Sequence, residues 1–321
     1  MVPIQIISSY AESHYLDVKN ILLHHIKRVL DYDGIQKRPR GQAAFWIRCS
    51  PELRVLLQTF YNNPDQNLRQ IIVEPADDLD NFIATFYIQN ISFIDDQSDD
   101  YKILYNIFIS NGYENSEFDK SKFIRRIGID TCPYCNRNYI YTSKKNRKVK
   151  PEIDHFYPKH LYPLLGLTFF NLIPSCETCN GQGCKHKNDP RTQELINPYL
   201  LRQDDFKFTH SIDNISIINP LVGKSAVRIR LITKCESNLK IFNLKDLYDL
   251  HHDHALELIV KQRIKYSKKY RDYLRTYKGL KFNPAEIDRM ILGNYSLEKD
   301  QHKRPLAKMY QDIGKELGLI K

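Results

Sequence analysis

Four of the seven cysteines fall into two C-x-x-C pairs, Cys132-Pro-Tyr-Cys135 and Cys176-Glu-Thr-Cys179. A two-residue gap lets both thiolates of a tight turn face one tetrahedral ion. Two such turns make a structural zinc site with Zn–S bonds of about 2.3 Å. A lone C-x-x-C would also suit redox chemistry, but a second pair favours zinc. The chain opens without a basic, apolar leader, so a cytoplasmic setting is expected and a disulfide framework is not. Cys184 is a stray thiol or a fifth candidate ligand, and is read as a non-ligand. Cys49 and Cys235 read as small buried apolar residues.

Forty residues separate the two pairs, more than an ordinary zinc-ribbon loop holds. They include KPEIDHFYPKHLYPLLGLTFFNLIP, which reads as a strand ending at Asp154-His155, a Pro-marked loop, and a second strand starting at Asn171. The second cysteine pair then runs straight into Asn180. Taken in order, C-P-Y-C, E-I-D-H-F-Y-P-K and F-N-L-I-P-S-C-E-T-C-N resemble the HNH endonuclease family over about residues 130–198. That family's core is the ββα-metal fold on a zinc scaffold. The resemblance implies metal-dependent hydrolysis of DNA phosphodiesters, leaving 5′-phosphate and 3′-hydroxyl ends. It makes His155 the general base, Asp154 a ligand of the catalytic cation, and Asn171 the residue that orients the base. Asn180 becomes the second ligand, with His186 as its substitute.

This chemistry suits the residue types. Phosphodiester hydrolysis needs a water deprotonated near neutral pH, which a neutral imidazole can do. It also needs charge stabilisation on the leaving oxygen, which a hard cation on oxygen ligands supplies; Mg²⁺ is expected, with Mn²⁺ or Ni²⁺ as alternatives. Adjacent strand residues point to opposite faces, so Asp154 and His155 can share a site only where the strand ends. Pro158 fits such an ending.

The elements that must hold these residues give an α+β chain in three parts. Residues 1–125 read as a mainly helical N-terminal domain. The apolar positions Leu16, Ile21, Leu22, Ile26, Val29 and Leu30 mark a first helix capped by Ser13 and stopped before Gly34. Ser50-Pro51-Glu52 opens a second. Further helices are expected at 65–73, 77–90, 99–112 and 118–127. Residues 126–200 form the nuclease-like domain, in which NYIYT and VKPEIDHF read as a hairpin turning at KKNR. Residues 201–321 are mixed, with three strands in 204–233, one long helix from about 247 to Gly279, and a last helix after Pro305. His251, His252 and His254 read as a polar helix surface.

Charge separates these parts. The chain carries 48 Lys+Arg and 38 Asp+Glu, a net +10. Residues 1–130 hold 14 basic and 18 acidic side chains, so the surplus lies entirely beyond them. Positions 74–100 alone carry eight carboxylates and no Lys or Arg. This asymmetry predicts different partners for the two halves. Lys144, Lys145, Arg147, Lys148, Lys150 and Lys185 are the expected phosphate contacts to DNA, or to RNA, since no feature distinguishes the sugar. The basic, Tyr-rich stretch Lys261–Arg275 is a further candidate. Asn197-Pro-Tyr199 and the strand-then-basic-helix order resemble stand-alone HNH proteins of bacterial anti-phage defence such as Septu-type systems, where the nuclease is paired with an ATPase. That implies an ATPase or sensor partner on the acidic N-terminal domain. A zinc-containing nucleic-acid-binding protein without catalysis is the rival reading. No apolar run of spanning length is present, so no membrane is expected.

Overall fold

A computed structural model describes all residues except 6–8, 39, 42, 88, 144–150, 214–225, 265–267, 278–281 and 321, with the side chains of 264 and 268 also outside the description. The described elements are helices and three two-stranded antiparallel sheets, an α+β architecture. The sheets pair β1 (Gly34–Lys37) with β2 (Phe45–Arg48), β3 (Glu152–His155) with β4 (Leu172–Ser175), and β5 (Phe206–Ile212) with β6 (Val227–Thr233).

The first helix, Ser9–Tyr32, starts one turn before the expected cap, and Ser13 Oγ donates instead to the Ser9 carbonyl. It buries Tyr15, Val18, Ile21, Leu22, Ile26 and Val29, the stripe its periodicity marks. Helix Pro51–Asn62 begins as expected, with Ser50 accepting from the Leu53 amide. Helical segments Asp99–Tyr105 and Asn106–Tyr113 follow each other directly. Helix Lys120–Ile127 is capped by Asp119 and stopped by Gly128 at φ 74°, a left-handed conformation open to glycine.

This N-terminal layer packs on the rest of the chain through buried contacts. His14 Nε2 donates to the Leu167 carbonyl at 2.8 Å, and Thr168 Oγ1 donates to the Ile71 carbonyl at 2.9 Å. One hydrophobic core runs through both, from Leu22 and Phe108 to Leu164, Phe169 and Ile173.

Two further expectations differ from the structure, and one is only partly described. NYIYT does not pair with the Asp-His strand. Cys132 and Ile140 amides instead donate to the Asn138 and Asp130 carbonyls, so NYI folds back on the first cysteine turn, and β3 pairs with β4. Of the three strands expected in 204–233, two are described, and 214–225 lie outside the described residues. The single long C-terminal helix is instead interrupted at Leu250–His251, between Leu244–Asp249 and His252–Ile264; Lys268–Thr276 is helical too, and 265–267 lie outside the described residues. The last helix, Ala307–Glu316, follows Pro305 as expected. Among the described residues no helix is long and apolar enough to cross a membrane.

Candidate active site and four-cysteine centre

The hairpin β3–β4 and the short helix Glu177–Asn180 follow each other as strand, strand, helix. In the pairing, Asp154 faces Ile173 and His155 faces Leu172. β3 ends at His155, which frees the two adjacent side chains from strict alternation. Both line one cavity of about 560 Å³ together with Asn180 and His186.

The four paired cysteines lie behind this hairpin. They are all buried, and their Sγ atoms lie within 4.8 Å of one another. The Cys135–Cys176 Sγ separation is 3.9 Å. A zinc tetrahedron with 2.3 Å bonds has edges of about 3.8 Å, so the cluster is sized to bind zinc. The Arg137 amide and Asn138 Nδ2 donate to Cys135 and Cys176 Sγ at 3.4 and 3.3 Å. Donors aimed at sulfur are what thiolate ligands require. Asn136 at φ 50° makes the turn, and its amide donates to Thr131 Oγ1 and the Gln301 carbonyl. Tyr248 hydroxyl donates to the Cys135 carbonyl at 2.5 Å. Cys184 is buried nearby but is outside the cluster.

Tyr134, inside the first C-x-x-C, connects the two centres. It is fully buried and stacked on Phe242 at 4.3 Å, and its hydroxyl donates to Asp154 Oδ2 at 2.6 Å. Burial raises the Asp154 carboxyl above the usual range, while Lys185 and the Tyr134 hydroxyl act in the opposite direction. A buried carboxylate with this bias gains from a cation beside it.

His155 Nε2 donates to the Gly166 carbonyl at 3.0 Å, so the lone pair sits on Nδ1. Burial, then Lys159, lowers its pKa to about 3, and the ring is neutral at physiological pH. Tyr113 packs edge-on against it, with centroids 4.4 Å apart, and its hydroxyl donates to the Ile153 carbonyl. Gly166 packs closely on the Ile109 side chain, whose Cδ1 a Cβ there would displace.

Asn171 does not touch the His155 ring. Its Oδ1 accepts from the Tyr157 amide at 2.7 Å, and its Nδ2 donates to the Tyr157 and Leu165 carbonyls at 3.1 and 3.0 Å. It therefore clamps the loop that carries Gly166. Asn180 Nδ2 donates to Glu152 at 2.6 Å. His186 is exposed, at φ 37°.

Lys185 is not on the surface. It is fully buried, and its ammonium donates to the Asn188 carbonyl at 2.9 Å and lies 3.4 Å from the His155 carbonyl. Its expected role as a phosphate contact is thus replaced by a position inside the site, near Asp154. Lys144, Lys145, Arg147, Lys148 and Lys150 lie outside the described residues. The C-terminal basic stretch is partly neutralised internally, by Lys261–Glu257 at 2.6 Å and Arg271–Asp288 at 2.6 Å. His251 and His254 meet Arg137 Nε and the Tyr310 hydroxyl rather than a metal cluster.

Sequence reasoning missed the opposite wall. Tyr105, Tyr113, Glu114 and Lys120 line the same cavity, together with Lys159 and Lys187. Glu114 accepts from Lys120 at 3.1 Å and from Lys159 at 2.8 Å. No motif marks these residues; only the fold brings them to the Asp-His pair.

No family model matches the chain, and no solved structure matches it significantly. Two curated proteins do. The chain is 30% identical to Septu protein PtuB of Bacillus thuringiensis over 122 residues, a third of this chain and 44% of that protein. It is 26% identical to Protein ea31 of Escherichia phage lambda over 184 residues, 51% of this chain and 57% of that protein. The chain thus spans roughly half the length of the curated relatives it matches.

Proposed function

We propose that the chain is a metal-dependent HNH endonuclease that hydrolyses DNA phosphodiester bonds in anti-phage defence. The observation that carries the reading is the His155 geometry: a neutral imidazole whose Nε2–H is given to Gly166, in a cavity it shares with Asp154, Asn180 and His186. Asp154 and Asn180, with His186 in reserve, would hold the divalent cation, which neutralises charge on the phosphate and the leaving oxygen. His155 Nδ1 takes the proton from the attacking water. A phosphate anion beside the ring favours its protonated form and so offsets the low pKa that burial imposes. Tyr134 holds the Asp154 carboxylate in place, and Asn171 holds the loop whose carbonyl sets the His155 tautomer. Lys120, Lys159 and Lys187 are the cations of the cavity that would meet a phosphate, the first two held in place by Glu114.

The similarity to a Septu protein supports the defence setting and, with it, an ATPase or sensor partner. Asp77, Asp78, Asp95, Asp96 and Asp99 are exposed and form the acidic surface that such a partner would meet. The test is incubation of the purified chain with plasmid DNA and with single-stranded RNA in Mg²⁺, Mn²⁺ or Ni²⁺, alone and with the product of a neighbouring ATPase gene. Metal-dependent DNA cleavage is expected. Cleavage of RNA alone would move the substrate, and binding without cleavage under every condition would leave a nucleic-acid-binding module.

A further inference from the structure

The acidic N-terminal part of the chain contains a basic, aromatic stretch in its β1–β2 hairpin. Between Lys37 and Arg48 the sequence KRPRGQAAFWIR holds four cations and no carboxylate. Its described residues lie at the end of the β1–β2 hairpin, whose cross-strand neighbours are Gln36 with Trp46 and Lys37 with Phe45. Phe45 is 48% exposed, Trp46 42% and Tyr32, beside it, 60%. Large aromatic rings are rarely left this open without a partner. The Trp46 and Tyr32 rings lie 6.3 Å apart at 32°, and the Arg48 guanidinium sits 5.2 Å over Trp46. Among the described residues, no carboxylate pairs with Lys37, Arg38 or Arg40.

The hairpin borders a groove of about 800 Å³, lined among others by His25, Arg28, Tyr32, Trp46, Asn106 and Asn111. Groove and cavity draw on two helical segments that follow each other directly, Asp99–Tyr105 and Asn106–Tyr113: Tyr105 and Tyr113 line the cavity, and Asn106 and Asn111 line the groove. Asn111 Nδ2 donates to the Asn106 carbonyl at 3.0 Å.

We propose that this hairpin and groove bind an unpaired nucleic-acid strand leading away from the catalytic cavity, with bases stacked on Trp46 and Tyr32 and phosphates on Lys37, Arg38 and Arg40. The inference rests on the nuclease reading. Partly exposed aromatic rings next to unpaired cations are the features that hold single strands without reading sequence. A duplex offers no free base face to the rings.

Trp46 is the only tryptophan of the chain, so its emission reports on this site alone. The experiment titrates a short labelled oligothymidylate into the His155→Ala variant, and into the parent chain without added divalent metal. Tryptophan emission and label anisotropy are read together. Emission should be quenched along the curve on which anisotropy rises. Trp46→Ala should weaken binding roughly tenfold. Arg38→Ala with Arg40→Ala should weaken it further and flatten the salt dependence by about two phosphate contacts. Anisotropy that rises with no change in emission overturns the proposal, as does unchanged affinity in these surface variants, or no binding at all. Those results would leave the hairpin to a protein partner. Parent cleavage is scored separately: absence of cleavage with quenching intact sinks the nuclease reading alone, and cleavage without quenching sinks this one alone.

Discussion

The two walls of the cavity that holds Asp154 and His155 are built in opposite ways. One carries Asp154, His155 and Asn180 on a hairpin of two four-residue strands and a one-turn helix, elements too short to hold shape alone, and is fastened by four clustered cysteines. The other carries Tyr113, Glu114 and Lys120 on consecutive helical segments, and stands on apolar packing of Ile107, Phe108, Phe118 and Phe123. The first wall carries the groups to which the proposed reaction gives the roles of base and cation ligand; the second carries aromatic rings and the paired Glu114 and Lys120. A metal-stapled wall can hold polar chemistry in a small element, whereas a wall that depends on burial must keep its polar groups at its edge.

The walls should therefore fail separately. Removing zinc by a strong chelator, or by Cys176→Ser, should abolish activity and cost several kcal/mol, because the binding energy of a structural zinc is folding energy. Helical circular dichroism from the first 127 residues should largely persist. A loss of all helix at once would show that the two walls do not differ in this way. On the second wall, Phe108→Ala should cost about 3–5 kcal/mol, read as a fall in the urea midpoint, with zinc stoichiometry unchanged.

Tyr134→Phe sharpens the comparison, because that residue joins the four-cysteine centre to Asp154. The ring keeps its packing on Phe242 and loses one hydroxyl. Affinity for the activating cation should fall about 10- to 100-fold, the usual effect of removing a residue that orients a metal ligand. Titration of cleavage against Mg²⁺ measures it, and an unchanged midpoint would remove Tyr134 from the site.

The smallest effect concerns the seam between the walls. His14 is fully buried with Nδ1 unpartnered, and burial lowers its pKa to about 4, against 6.5 in the unfolded chain. The unfolded state therefore binds the extra proton first. Stability is fully present above about pH 6.5 and is lost as pH falls toward 4, by at most about 3 kcal/mol. His14→Gln, which keeps a donor for the Leu167 carbonyl, should flatten the change in urea midpoint over that window. An equal slope in the variant would assign it to other groups.

The same contrast explains how much the sequence discloses. The four cysteines, the strand ending at Asp154-His155 and, to within one residue, the start of the second strand at Asn171 are legible, because metal spacing and chain breaks are local properties. The hairpin partner of the Asp-His strand is not. NYIYT has strand periodicity and a turn after it, but the first cysteine turn takes those residues for its own backbone pairing. Lys185 reads as a surface charge because a lysine signals solvent; its burial follows from backbone carbonyls that only the folded loop assembles. The second wall is illegible for a similar reason, as Tyr113 and Lys120 reach His155 through tertiary packing and leave no spacing to detect.

The central claim is that His155 is the base that activates water, held as the right tautomer by Gly166. The most direct measurement is the single-turnover rate of metal-dependent DNA cleavage by the parent chain and by His155→Ala, at equal zinc content and equal thermal stability. A fall of about 10²- to 10⁴-fold is expected. A variant that cleaves at the parent rate contradicts the account.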